Sequence, residues 1–240
     1  MRYGLFSDVH GNLEALQAVL GVLKREDVDN YICLGDIIGY GASPRECIKL
    51  IKDLNPIVIA GNHDYAAVHL TDISYFNTYA KEVILWTQNQ LQDEDREYLT
   101  GLKLVHNLPD FTLVHATLRR PEKWNYIFST YDAQQNFQML TTSLLFIGHS
   151  HVPIIFEENT PCRYYFKETV KFEEGRKYII NIGSVGQPRD GDPRASFALY
   201  DTESRIIQIK RVEYDVTGAM RKIAEAGLSK VLAWRLSRGE

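Results

Sequence analysis

Acids and imidazoles recur in this chain in short blocks, most of them beside glycine: Asp8-Val9-His10, Gly35-Asp36, Gly61-Asn62-His63-Asp64, His115, and Gly148-His149-Ser150-His151. Five of the seven histidines fall in these blocks, and only His69 and His106 lie outside them. Together the blocks offer carboxylate oxygens, an amide oxygen and imidazole nitrogens. That donor mixture suits Mn²⁺, Fe or Zn²⁺ rather than an all-thiolate structural site. In an extended segment residues i and i+2 point the same way, so Asp8 with His10, and His149 with His151, are each expected to aim two ligands at one point. Gly35, Gly61 and Gly148 let the backbone turn sharply and let the site approach closely. Any one fragment arises by chance, and a lone histidine at a strand end is more often structural than ligating. The weight rests on the blocks together, and with a shared carboxylate they suit two ions.

The elements that must position these groups alternate over the first sixty residues. Tyr3 to Val9 reads as a strand. Leu13, Leu16, Val19, Leu20 and Leu23 then recur at helical spacing behind Asn12, a good N-cap. Tyr31 to Ile38 is the second strand, Ser43-Pro44 opens a second helix with Ile48 and Ile51 on its apolar face, and Ile57 to Ala60 is the third strand. This alternation predicts βαβ units and a largely parallel sheet, whose ligands bind beyond the carboxyl ends of the strands. Asn77 to Leu102 reads as helical, with Asp93 as an internal cap. After it come strand candidates at Leu104–Leu108, Phe111–His115, Leu144–Gly148, Pro153–Phe156, Tyr178–Ile182, Ser196–Asp201 and Arg205–Val212. A helix from about Thr217 to Ala226 and a basic tail, Lys230 to Arg238, follow.

Composition bounds the classes open to the chain. With 240 residues and a formal charge of −4, one compact domain over residues 1–240 is expected, and broad electrostatic capture of duplex nucleic acid is not. The longest apolar runs fall far short of the ~20 residues a membrane helix needs. The opening Met-Arg-Tyr-Gly-Leu-Phe-Ser-Asp places an acid where a signal peptide would continue its apolar region, so a cytoplasmic location is expected. Cys33, Cys47 and Cys162 match neither a disulfide framework nor a metal knuckle and read as buried thiols.

The order of these blocks resembles the calcineurin-like metallophosphoesterases, whose pattern D-x-H, G-D, G-N-H-D/E, H and G-H-x-H is met by Asp8/His10, Gly35/Asp36, Gly61 to Asp64, His115 and Gly148 to His151. The likeness runs from residue 3 to about 190, and Asn181-Ile182-Gly183-Ser184-Val185-Gly186 is similar to the Asn-Pro-Gly-Ser-Val turn of the small prokaryotic members. It implies an α/β fold, a four-layer α-β-β-α sandwich with two mixed sheets face to face. It also implies two divalent ions (Mn, Fe or Zn): one held by Asp8, His10, Asp36 and His151, the other by Asn62, His115 and His149 with Asp36 as the bridge. A hydroxide bridging them would attack phosphorus in line. His63 is then the candidate to stabilise the phosphoryl oxygens or protonate the leaving alkoxide, with Asp64 orienting it.

The chain also departs from relatives. Gly35-Asp36-Ile37-Ile38-Gly39-Tyr40-Gly41 lacks the acid and arginine of the protein Ser/Thr phosphatase pattern G-D-x-x-D-R-G, which argues against protein dephosphorylation. His115 is followed by Ala116-Thr117, and Ile182 replaces the usual proline. The implied function is hydrolysis of phosphate esters, phosphodiesters first, with phosphomonoesters or nucleoside polyphosphates as alternatives. A non-catalytic scaffold, as in the retromer branch, is the rival from another class, and the presence of His63 weighs against it.

For the substrate, Arg189 either meets a phosphate or is an exposed turn arginine. The stretches Tyr65–Tyr79 and Arg119–Tyr131 interleave aromatics with arginines that could stack a nucleobase and pair its phosphate. The favoured reading of those stretches is plainer, a core cap or a contact in a homo-oligomer. Cys33, His106 and the Lys230–Arg238 tail are read as a strand-core thiol, a polar strand residue and a solvated face.

Overall fold

The computed structural model describes all residues, 1–240. One six-stranded sheet runs in the order β3 (Ile57–Val58), β2 (Asn30–Cys33), β1 (Arg2–Phe6), β11 (Ala195–Asp201), β12 (Ile206–Val212), β9 (Thr169–Lys171). The other runs β4 (Val105–Asn107), β5 (Phe111–Val114), β6 (Leu144–Ile147), β10 (Tyr178–Asn181), β7 (Ile154–Glu157), β8 (Arg163–Tyr165). Both are mixed. β1, β2 and β3 are mutually parallel in the first, β5, β6 and β10 in the second, and antiparallel strands flank each trio.

Period-two alternation builds the layers. Leu5, Ile32, Phe146 and Ile180 point inward and meet Phe111 and Tyr200 in the core between the sheets. Their neighbours Phe6, Cys33, Leu145, Ile147 and Ile179 point outward. On one outer face α1 (Leu13–Leu23) and α2 (Pro44–Leu54) cover Phe6, Cys33 and Phe197 with Leu16, Val19, Ile48 and Ile51. On the other, α6 (Thr130–Phe137) covers Leu145 and Ile179 with Ala133 and Phe137. The result is the expected four-layer α/β sandwich.

Local rules hold where the sequence marked them. Asn12 caps α1, its Oδ1 accepting from Ala15 N at 3.1 Å, and Pro44 takes the first position of α2. The helical stretch 77–102 is broken, into α4 (Thr78–Gln90) and α5 (Asp93–Thr100). Leu91 turns extended there and buries its side chain in the α1–α2 core. The cap of α5 is Gln92, whose N–H donates to Asp95 at 3.0 Å, so Asp93 is the first helical residue instead of the cap.

Two other expectations are corrected. β1 and β2 end at Phe6 and Cys33, short of Val9 and Ile38, because the residues that follow leave the pleat. The basic tail is not simply a solvated face: Lys230–Leu236 is α8, and its Leu232, Ala233 and Leu236 pack on α7 (Val216–Glu225) near Tyr40. No helix is long and apolar enough to cross a membrane. Cys33, Cys47 and Cys162 are free and buried, and His106 lies in β4, as read.

Candidate active site

The six parallel strands deliver the chemistry-bearing residues to one edge of the sandwich. Asp8 and His10 follow β1, Asp36 follows β2, Asn62 opens α3 (Asn62–Ala67) beyond β3, His115 follows β5, and His149 and His151 follow β6. The end of β10 and the turn after it brace them: Ser184 Oγ donates to Asp8 O at 2.8 Å, and Asn181 Nδ2 donates to Gly148 O and to Ser150 Oγ at 2.9 Å. The paired ligands converge for a reason the sequence did not carry. Asp8, His10, Asp36, His149 and His151 all adopt left-handed backbone, with φ of 53°, 51°, 52°, 66° and 63°. Extended i, i+2 alternation therefore does not aim them; successive left-handed turns do. Such conformations cost of order 1–2 kcal/mol per non-glycine residue and persist where surrounding structure over-determines them. Here Asp8 N, His10 N and Gly11 N donate to Gly35 O, Asp36 O and Ile37 O at 2.9–3.0 Å.

The side chains meet closely. His151 Nε2 lies 3.2 Å from Asp8 Oδ1 and 3.0 Å from His10 Nε2, while His115 Nε2 lies 3.3 Å from Asp36 Oδ2. Each imidazole has its far nitrogen tied to a backbone carbonyl. His10 Nδ1 donates to Ile38 O (3.2 Å), His115 Nδ1 to Leu34 O (2.7 Å) and His151 Nδ1 to Gln187 O (2.5 Å). His149 is reversed, with Nε2 donating to Trp124 O at 2.8 Å. These bonds leave the other nitrogen of each ring turned towards the acids, the usual outer support of a metal-ligating histidine. Asn62 Oδ1 and His115 Nε2 are buried without a hydrogen-bond partner. Two buried polar atoms without partners, two facing Nε2 atoms and two buried carboxylates together fit a divalent cation, which would displace any proton on the imidazoles. Asp8, His10 and His151 form one group with ligand atoms within 4.8 Å of one another, and Asp36, His115 and His149 form a second.

Electrostatics follow from burial and crowding. Burial and Asp36 act oppositely on His115: burial lowers it, but the Asp36 and Asp8 carboxylates prevail and push it up to about 9. Burial raises Asp8 and Asp36, yet the neighbouring imidazoles, His151 for Asp8 and His115 for Asp36, hold both well below the ordinary carboxylate range. Burial lowers His149 to about 3 and His63 to about 4, and with the Arg189 charge it also lowers His151.

His63 joins this centre, its backbone N–H donating to Asp36 Oδ1 at 2.8 Å. Its ring is packed between Tyr40 (4.6 Å) and Phe76 (5.3 Å), and its Nδ1 has no partner. Asp64 has partners other than the expected one. Its carboxylate accepts from Ile37 N (2.9 Å), Ile38 N (3.3 Å) and Gly61 N (3.0 Å), and it makes no bond to His63. It ties the loop after β2 to the start of α3 and so positions Asp36 and Asn62. Burial and the Asp36 charge push its carboxyl up to about 7. Arg189 is half-buried, not an exposed turn residue: its guanidinium lies 5.5 Å from the Tyr40 ring centre and donates to Gln187 Oε1 at 2.9 Å.

Asp36, Asn62, His63, His149, His151 and Arg189 open onto a cleft of about 760 Å³, also lined by Tyr40, Tyr75, Phe76, Trp124 and Tyr126. Both aromatic stretches therefore wall this cleft, and the expectation that they merely cap the core is corrected. Trp124 Nε1 donates to Thr71 Oγ1 at 3.0 Å, joining the two loops. Sequence reasoning missed Tyr40, whose signal was its place between Gly39 and Gly41. It missed the carbonyls of Ile38, Leu34, Gln187 and Trp124 because a backbone acceptor leaves no mark on residue type.

Residues 1–205 match the Calcineurin-like phosphoesterase superfamily domain. An uncharacterised protein of Methanocaldococcus jannaschii is 40% identical over 240 residues, covering 98% of this chain and 97% of that protein. The crystal structure of a metallophosphoesterase from Sphaerobacter thermophilus, 40% identical, covers 100% of this chain and 99% of that one with a TM-score of 0.89. A hypothetical protein of Pyrococcus horikoshii, 23% identical, has the same fold, with a TM-score of 0.81 over 100% of this chain and 98% of that one. The chain belongs to the calcineurin-like phosphoesterase superfamily.

Proposed function

We propose that this chain is a divalent-metal-dependent phosphoesterase that hydrolyses phosphodiesters. The observation that carries this reading is the set of four buried imidazoles, each with one nitrogen tied to a carbonyl and the other turned towards Asp8 and Asp36. Asp8, His10, Asp36 and His151 would hold one ion, and Asn62, His115 and His149 would hold a second with Asp36 shared. Mn, Fe or Zn, when bound, supplies Lewis-acid charge that activates water and offsets the charge developing on phosphorus.

The remaining residues act on the ester. His63 faces the cleft, where a ring N–H can bond a phosphoryl oxygen or, from the protonated ring, pass a proton to the departing alkoxide. Arg189 brings a positive charge to the cleft wall, where it can pair a non-bridging phosphate oxygen. Asp64 positions the two loops that carry Asp36 and Asn62. The cleft, about 760 Å³, has room for a diester, which has a substituent on each side of phosphorus.

The test is hydrolysis of bis(p-nitrophenyl) phosphate by chelator-treated protein with and without Mn²⁺. Turnover only with metal, lost in Asp36→Asn with the circular dichroism spectrum retained, is expected. Turnover by Asp36→Asn would overturn the shared-ligand assignment. Turnover of p-nitrophenyl phosphate alone would move the reading to monoesters, and none on either ester with Mn²⁺, Fe or Zn²⁺ would favour a scaffold.

A further inference from the structure

A second cleft, of about 460 Å³, adjoins the first and shares Tyr126 with it. Its walls include Arg119, Arg120, Phe128 and Gln135. Three rings are stacked from the first cleft into the second: Tyr126 on His149 at 4.1 Å and 18°, then Phe128 on Tyr126 at 4.6 Å and 9°. Phe128 is 65% exposed, so the outer face of that column is bare. Arg119 and Arg120 have no carboxylate within ion-pair distance; Arg119 is held only by Gln135 Oε1 at 3.1 Å. The acid beside them, Asp132, is occupied in capping α6, accepting from Ser129 N at 3.0 Å and Ser129 Oγ at 2.7 Å. Arg120 adopts left-handed backbone at φ 53° and caps the short helical turn Pro121–Lys123.

We propose that this second cleft is a binding subsite for one half of an extended phosphate ester. The half it takes is a planar aromatic ring carrying a phosphate, the chemistry of a nucleotide. The ring stacks on Phe128 as the next member of the column, and Arg119 and Arg120 pair its phosphate. The scissile phosphorus lies in the first cleft, beside His149, at the inner end of the same column. This deepens the proposed phosphoesterase reading and rests on it for the reaction. Binding at the subsite is a separate matter that does not depend on turnover.

The experiment uses Mn²⁺-loaded full-length protein and two variants, Phe128→Ala and the double variant Arg119→Ala/Arg120→Ala. Binding of AMP is measured by titration calorimetry, and kcat/KM is measured for 5′-phosphorylated diadenylate and for bis(p-nitrophenyl) phosphate. AMP affinity is expected to fall by about tenfold in each variant, the size of one lost base–aromatic stack or one lost phosphate contact. The drop in kcat/KM should be about tenfold larger for the dinucleotide than for the small diester. AMP affinity equal to wild type in both variants, or no AMP binding at all, would overturn the subsite. AMP binding that weakens in the variants while no ester is turned over would keep the subsite and reject the phosphoesterase reading. Circular dichroism melts of both variants, expected to match wild type because all three side chains are exposed, separate loss of binding from loss of fold.

Discussion

Gly61→Ala tests whether the acids are held by close backbone approach. Gly61 has φ −100° and ψ 172°, a conformation open to alanine, so the effect of the substitution comes from contact and not from the Gly61 dihedrals. Its added Cβ would stand 2.0 Å from Asp36 Oδ1 and 2.3 Å from Asp36 N, where ordinary contact begins at 3.4 Å. The carboxylate must retreat by roughly 1 Å or more, and misplacement on that scale at a reacting centre lowers rates by about 10²-fold. In barrier terms that is about 2.7 kcal/mol. Overpacking should lower stability by about 1–3 kcal/mol as well, with Tm falling roughly 2–4 °C per kcal/mol. The control is Gly21→Ala in α1, where a Cβ meets nothing within 4 Å and helix propensity should raise stability by about 0.5–1 kcal/mol. The assays are Mn²⁺ affinity by calorimetry, kcat/KM on bis(p-nitrophenyl) phosphate, and a thermal melt. Wild-type Mn²⁺ affinity and turnover in Gly61→Ala would refute the argument that this contact sets the position of Asp36.

Three further outcomes are expected. In chelator-treated protein, burial holds His63 at about 4 and His149 at about 3, below the roughly 6.5 of a free histidine. The unfolded chain therefore takes up protons first, and calorimetry should show Tm falling as pH drops from 6.5 towards 4. His115, raised to about 9, contributes the opposite arm, lost as pH rises through that value, and a Tm flat across both windows would contradict these assignments. His63→Ala should lower kcat by about 10²–10⁴-fold while Mn²⁺ affinity stays near wild type, and an equal fall in both would make His63 a ligand instead of a proton donor. Asn181→Asp removes the donor to Gly148 O, leaving that buried carbonyl facing a carboxylate while the Ser150 hydroxyl can turn to donate; a loss of about 1–3 kcal/mol should appear in the melt, and an unchanged Tm would show that this bond does not brace the turn.

What the sequence made legible was residue type and spacing at strand ends. Apolar runs such as Tyr3 to Val9 and Leu144 to Gly148 placed the strands. The position of Asp8, Asp36, His115 and His149 just beyond such runs placed the centre. Backbone handedness was not legible: nothing in Asp8-Val9-His10 announces φ near +50°, because aspartate and histidine tolerate that region without requiring it. Asp64 was legible as a residue of the site but not as a backbone brace, since its partners are N–H groups of Ile37, Ile38 and Gly61. α8 was obscured by Lys230, Arg235 and Arg238, although Leu232, Ala233 and Leu236 carried the helical stripe beneath the charges. The aromatic loops were legible in composition only, because their use depends on Trp124 and Thr71 meeting across a cleft from positions far apart in sequence.

The carbonyls that orient the imidazoles differ in origin, and that difference ties the centre to its walls. Leu34 and Ile38 follow β2, and Gln187 follows the braced turn after β10, so the orientations of His115, His10 and His151 are fixed by the sandwich edge itself. His149 takes its orientation from Trp124, on the loop that also stacks Tyr126 against a face of its ring. That loop is irregular, with Arg120 and Trp124 both in left-handed backbone, and it is joined to the facing wall through Thr71. Three of the four imidazoles thus belong to a rigid frame. The fourth, His149, follows β6 and donates its backbone N–H to Asp8 at 3.0 Å, but its ring is held by the segment that lines both clefts, so whatever displaces residues 119–128 acts first on the His149 ring.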